Sequence, residues 1–281
     1  MNPFAQKVAV VTGGASGIGR ALGEELARHG ARVVLADINL PGLEAAAAAC
    51  QAGGRVQTVC VDVTDAAAVA RLIESTFATQ RRLDYLFNNA GVATMGDARH
   101  MTHVDWARLI DVNLRGVIHG VSAAYPMMIQ QGFGHIINTA SLAGLVPTPG
   151  AVGYSVTKHA VVGLSTSLRG EAARFGVRVS AACPGFIDTP IAQATRWLSS
   201  DAQTVVAAVP FRLYPAAACA RDILAGVRRN RGLIVVTRHA KLAWLLYRWA
   251  PRLFSRMAQV AVERSPLIDG GPGNERREVP A

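Results

Sequence analysis

Apolar residues in this chain concentrate in short runs, and between the runs they recur every three or four positions. The runs at 7–11, 32–36, 56–61, 84–88, 134–139, 177–182 and 232–236 predict strands. The periodic stretches at 17–29, 40–52, 65–79, 103–131, 153–175 and 216–230 predict amphipathic helices. Strands that alternate with helices imply right-handed crossovers and a parallel sheet. The fold class is therefore α/β: a doubly wound parallel sheet of about seven strands with helices on both faces. Composition agrees, because a content of 51% hydrophobic and 17% charged residues suits a sheet buried on both faces. The 281 residues divide into one domain at 1–238, a basic amphipathic helical extension at 239–265 and a flexible tail at 266–281.

Chemistry enters at the ends of the predicted strands. The first strand runs into Thr12-Gly-Gly-Ala-Ser-Gly-Ile-Gly19, and a helical pattern follows. Glycines permit a tight turn and close approach of a pyrophosphate, while the helix N-terminus supplies amide donors. The second strand ends in Asp37, about twenty residues on, where a dinucleotide-binding unit sets an acid against the ribose hydroxyls. Tyr154 and Lys158 are four apart on a predicted helix, so they share one face. A free tyrosine titrates near pH ~10, and an adjacent ammonium is expected to lower that value toward useful acid–base range. Metal-ligand spacing is absent: Cys50, Cys60, Cys183 and Cys219 read as free thiols in a reducing compartment, and no metal is expected. Residues 1–7 do not read as a signal peptide, so a cytoplasmic location is expected.

The glycines Gly13, Gly17 and Gly19 are spaced G-x-x-x-G-x-G, unlike the general dinucleotide fingerprint G-x-G-x-x-G. With them, in order, come Asp62-Val63, Asn88-Asn-Ala-Gly91, Asn113 in Asp111-Val-Asn-Leu114, Ser141 thirteen residues before Tyr154, Lys158, Pro184-Gly185 and Thr189. Over roughly residues 5–237 the chain resembles the short-chain dehydrogenase/reductase family, single-domain short type. The resemblance implies a Rossmann-like fold and a catalytic set of Asn113, Ser141, Tyr154 and Lys158. It also implies a cofactor site of Gly13, Ser16, Gly17, Ile18, Gly19, Asp37, Asp62, Val63, Asn89, Ala90, Gly91, Tyr154, Lys158, Pro184, Gly185 and Thr189. By that resemblance Tyr154 exchanges a proton with the substrate, Ser141 holds the substrate oxygen and Lys158 meets the nicotinamide ribose. Asn113 holds a water that links Lys158 to solvent. Taken singly, Ser141 could merely turn the chain and Asn113 could be an ordinary polar residue inside a helix. His159, adjacent to Lys158, faces another way on a helix and reads as structural.

Cofactor and substrate are read from charge and polarity. Asp37 repels a 2′-phosphate, Ile38-Asn-Leu40 supplies no cation, and Ser16 stands where phosphate-accepting relatives often carry a basic residue; NAD is preferred over NADP. The segment from Pro190 to Pro215 is rich in apolar residues, among them Ile191, Trp197, Val205 and Phe211. These either line a pocket for a lipophilic alcohol or ketone or simply pack a lid. Three classes stand open: an NAD(P)-dependent oxidoreductase, an epimerase or dehydratase like the family's longer relatives, and a non-catalytic dinucleotide sensor or scaffold. The glycine spacing argues against the second and the intact catalytic set against the third. A homodimer or homotetramer through 103–131 and 153–175 is the family expectation.

The C-terminal region departs from the family pattern. Residues 216–281 hold twelve basic and five acidic side chains, most of the chain's net +10. Leu242, Leu246, Trp249, Leu253, Met257 and Val260 recur at helical spacing, Lys241, Arg248, Arg252 and Arg256 flank them, and Pro251 is expected to start a second helix. Charge excludes a membrane span. The stripe either packs on its own or a neighbouring subunit, the reading the charge pattern favours, or lies on an anionic membrane surface. No nucleic-acid-binding module is recognisable, and no such partner is expected.

Overall fold

The computed structural model describes residues 2–50, 55–198, 203–204, 212–263 and 268. Seven strands form its central sheet: β1 Val8–Thr12, β2 Arg32–Asp37, β3 Arg55–Cys60, β4 Tyr85–Asn88, β5 Gly134–Thr139, β6 Val177–Pro184 and β7 Leu233–Val236. The order is β3-β2-β1-β4-β5-β6-β7, and every pairing is parallel. Val10 sits opposite Val34 on one side and Leu86 on the other, so β1 lies inside the sheet. The chain winds outward in one direction from β1 to β3, then restarts at β4 on the opposite side. Ligands of such sheets bind at that reversal, beyond the carboxyl ends of the strands.

Around the sheet lie α1 Gly17–Arg28, α2 Leu40–Ala49, α3 Ala66–Gln80, α4 His103–Ile110, α5 Gly116–Gln131, α6 Val152–Ala172 and α7 Ala216–Arg228. Successive strand residues point to opposite faces. Ala9 and Val11 accordingly join Leu22, Leu26, Leu35, Leu43, Ile223 and Leu224 beneath α1, α2 and α7. Val8 and Val10 join Leu72, Ile73, Ala124 and Met128 beneath α3 and α5. Each such large side chain, taken wholly out of water, contributes about 1.5–3 kcal/mol. Local signals set the helix starts: Asp65 accepts from the amides of Ala67 and Ala68, and Thr102 with Asp105 forms a reciprocal capping box. Strand and helix bounds follow the sequence expectation closely, with one break. The helix expected over 103–131 is divided by a π-helical turn, Asp111–Arg115. Asn113 lies in that turn, with its side-chain amide bonded both ways to the backbone of Val92. Wide turns of this kind concentrate at functional positions.

Two short strand pairings, absent from the sequence expectation, fix the segment after β6. Ile187–Asp188 pairs with Tyr214–Pro215, and Arg196–Trp197 pairs with Thr94–Met95. Arg196 also reaches the buried carboxylate of Asp105 at 3.0 Å. Beyond β7 come α8 Arg238–Trp249 and α9 Pro251–Glu263, with Pro251 opening the second as expected. Their inner side sets Trp244, Tyr247 and Phe254 against the cluster that contains Val161, Ala181 and Cys183. The expected stripe does not pack on its own subunit: Leu242, Trp249, Leu253, Met257 and Val260 are exposed, and only Leu246 is half-buried. The aromatics one face round made the inner contact and left the stripe uncovered. Val205, Val206, Val209 and Phe211 of the expected lid and, apart from Ile268, the tail at 266–281 lie outside the described residues.

Candidate functional site

A cleft of about 360 Å³ opens at the carboxyl ends of β1, β2, β4, β5 and β6. Its floor is the glycine turn. Gly13 has φ +67°, and a Cβ there would meet Ala90 Cα at 2.8 Å. A side chain would therefore both strain the turn and part it from β4. Thr12 ties the same two strands together, its hydroxyl accepting from the amides of Asn89 and Ala90 at 2.9 and 3.1 Å. At one end of the cleft Asp37 accepts from the amides of Ala15 and Asn39, which fixes its carboxylate at the tip of β2. Asp62 is held by the amide and hydroxyl of Thr64, both at 2.8 Å. Arg20, on the first turn of α1, is paired with Glu24.

At the other end stand Ser141, Tyr154 and Lys158. Ser141 leaves the tip of β5 and accepts from the amide of Ala143 at 3.2 Å, so it does turn the chain. It lines the cleft together with Tyr154, whose phenol its hydroxyl pulls toward a lower pKa. Lys158 is buried and donates to the Thr139 carbonyl at 2.8 Å, with its Nζ 5.5 Å from the centre of the Tyr154 ring. Burial pushes the ammonium down to about 8, because a charge without water favours its neutral form. The Cys183 thiol is pushed up to about 12 by burial, against the pull of Lys158. Tyr154 differs from the sequence expectation. Burial raises its phenol above the ordinary value, and the pull of Ser141 only partly offsets this. Lys158 points at the Thr139 carbonyl, so desolvation outweighs it in this structure.

Every residue expected at the site lines the cleft except two. Gly19 lies behind the turn, where a Cβ would collide with the Gly13 carbonyl; it allows α1 to pack under the turn. Asn113 is fully buried behind Gly91, and its Nδ2 also donates to Thr157 Oγ1 at 3.2 Å. Thr157 Oγ1 in turn donates to the Tyr154 carbonyl at 2.8 Å, so Asn113 braces the helix that carries the tyrosine. His159 is exposed and bonds Ser155 one turn back, away from the cleft. Sequence reasoning passed over Thr12 and Thr139, whose signal was only a hydroxyl at a strand end. It also passed over Ile38, Val92 and Ile187, which together with the expected Ile191 give the cleft apolar walls. Among the described residues no cluster of His, Cys, Asp and Glu could hold a metal.

The short chain dehydrogenase family model matches residues 7–198. The chain belongs to the short-chain dehydrogenase/reductase family. It is 35% identical over 270 residues to the putative oxidoreductase SadH of Mycobacterium tuberculosis, covering 94% of this chain and 98% of that protein. It is 37% identical over 194 residues to the levodione reductase of Leifsonia aquatica, covering 68% of this chain and 73% of that one. A short-chain dehydrogenase/reductase from Burkholderia phymatum, solved in complex with NAD, superposes with a TM-score of 0.83 at 32% identity, over 90% of this chain and 96% of that chain. The Rossmann-like fold and membership of an oxidoreductase family are thereby established, and a nicotinamide dinucleotide is the cofactor class they support. The cleft fits such a group: a side-chain-free turn at a helix N-terminus, then a fixed carboxylate at the tip of β2.

Proposed function

We propose that this protein interconverts a lipophilic secondary alcohol and its ketone, with NAD preferred over NADP. One observation carries the proposal: Ser141 and Tyr154, with buried Lys158 beside the tyrosine ring, share a single cleft with the glycine turn and Asp37. When bound, the nicotinamide accepts or supplies the hydride. Tyr154 handles the proton. Its raised pKa keeps the phenol protonated at neutral pH, the state that donates to a carbonyl oxygen during reduction. In oxidation it takes the proton from the hydroxyl, and the positive charge of an oxidised nicotinamide favours the phenolate that this needs. Ser141 aims its hydroxyl at the same oxygen and stabilises charge there. Lys158 supplies the local positive charge and a donor toward the cofactor ribose. Because the Asn113 side chain is engaged by Val92 and Thr157, any water it contributes to the relay would be held through the backbone of the π-turn.

Asp37 supports NAD, since its carboxylate forms no ion pair among the described residues and would face a 2′-phosphate unscreened. The remaining cofactor assignments place Ser16, Ile18, Asp62, Val63 and Asn89 to Gly91 along the dinucleotide, and Pro184, Gly185 and Thr189 at the nicotinamide end. Val92, Ile187 and Ile191 in the cleft wall favour a lipophilic substrate. Assembly as a dimer or tetramer would use α4 to α6, where Ile118, Val152 and Val156 are exposed. The test is Tyr154→Phe: loss of turnover by at least about a thousandfold is expected, with NAD affinity kept, since the proton path and not the cofactor cradle is removed. Retention of substantial turnover would refute the proton-transfer role. NAD binding by both proteins without turnover on any alcohol or ketone would favour a dinucleotide sensor.

A further inference from the structure

We infer that the outer face of α8 and α9 is a docking surface for an anionic lipid bilayer. This rests on features away from the catalytic cleft and is independent of the reaction assigned above. The two helices are anchored from within by Trp244, Tyr247 and Phe254, the last two in an edge-on contact at 5.4 Å, so the pair is held in one pose. On the outer side Leu242, Leu245 and Trp249 recur at three- and four-residue steps along α8, and Leu253, Met257 and Val260 do so along α9. All six are exposed, Trp249 at 80% and Leu242 at 68%. A run of large exposed apolar side chains on fixed helices marks an interaction surface.

Charge names the occupant. Arg238, Lys241, Arg248, Arg252 and Arg256 are exposed, and among the described residues none is ion-paired. No aspartate or glutamate occurs between 238 and 262. A two-fold contact would lay this patch on itself and bring like charges together, with no acidic residue between 238 and 262 to neutralise them. A surface that is negatively charged outside and apolar beneath fits both features. Beside the apolar strip of α9, a shallow concavity is lined by Pro251, Arg252, Ser255, Arg256 and Gln259, which gives lipid phosphates two guanidinium groups and further donors. Trp249 between Arg248 and Arg252 suits the headgroup boundary. No described helix is long and apolar enough to cross a membrane, so the pair lies in the plane of the interface.

The test uses the purified full chain and co-sedimentation with phosphatidylcholine vesicles, with and without phosphatidylglycerol. Binding to the phosphatidylglycerol vesicles alone is expected, and it should weaken as salt rises. Trp249→Ser with Met257→Ser, and separately Arg252→Gln with Arg256→Gln, should each weaken it by at least about tenfold. Sedimentation velocity without lipid is run on the same proteins. Failure of the natural chain to bind either vesicle, or binding unchanged in both double variants, would overturn the inference. So would a drop in oligomeric mass for the Trp249/Met257 variant with no loss of vesicle binding, since a second copy of the chain would then be the occupant.

Discussion

Lys158→Met removes the buried ammonium and keeps most of its stem. Burial lowers this lysine from 10.5 to about 8, which at 1.36 kcal/mol per tenfold step in proton affinity means that the charged form costs the fold about 3 kcal/mol. Between about pH 8 and 10.5 the unfolded chain holds this proton and the folded chain does not, so stability rises with pH through that window. Below it the cost is present in full. Methionine carries no such cost, but it strips the Thr139 carbonyl of its donor at 2.8 Å, a loss of about 1–3 kcal/mol. The variant should thus equal or slightly exceed the natural protein in stability near neutral pH. By pH 10.5 it should be the weaker by the value of that lost bond. The gap between the two proteins should therefore move by about 3 kcal/mol across the window, and titrations common to both cancel in it. Urea unfolding of both at a series of pH values measures the gap directly. A gap constant to within about 0.5 kcal/mol would refute the burial argument, because a lysine with an ordinary proton affinity gives no pH-dependent difference. Activity should be lost at every pH, the trade of stability for function expected at a charged buried site.

Asp37→Ala removes the carboxylate that opposes a 2′-phosphate; the ratio of kcat/KM for NAD to that for NADP should fall by at least about tenfold, and an unchanged ratio would remove Asp37 from cofactor choice. Gly13→Ala forces a Cβ against Ala90 at a φ of +67°, so NAD affinity measured by calorimetry should fall by at least about tenfold along with a lower melting temperature. His135 is buried against Ser180, and burial pushes it down to about 3. Its contribution is complete above the unfolded value of 6.5 and is lost as pH falls toward about 3, so His135→Gln should gain on the natural protein by about 3 kcal/mol between pH 6.5 and 4 in urea titrations. A gap that does not widen on acidification would contradict that.

Parallel strands buried on both faces read as apolar runs, which is why the inner strands such as β1 and β2 and their end-of-strand residues were legible from sequence. The glycine turn, Asp37, Ser141 and the Tyr154–Lys158 face follow from that placement. What sequence did not carry depended on tertiary contact. The π-turn at Asn113 has no break signal in 103–131, since its cause is the Val92 backbone some twenty residues away. Gly13 and Gly19 belong to one motif, yet one lines the cleft and the other spaces a helix beneath it. The spacing of Tyr154 and Lys158 placed them together but could not weigh desolvation against charge, so the direction of the tyrosine shift came out reversed. Helical periodicity likewise grouped Leu242, Trp249 and Leu253, but not what covers them; Trp244 and Tyr247 took the inner contact.

The most direct test of the central claim follows the reduced-nicotinamide absorbance band with the natural chain and its Tyr154→Phe variant. NAD and NADP are run in parallel over a panel of lipophilic secondary alcohols. Growth of the band with NAD for one class of alcohol, lost in the variant while NAD still binds, is the expected result. Equal growth in the variant, or no binding of either dinucleotide to the natural chain, would contradict it.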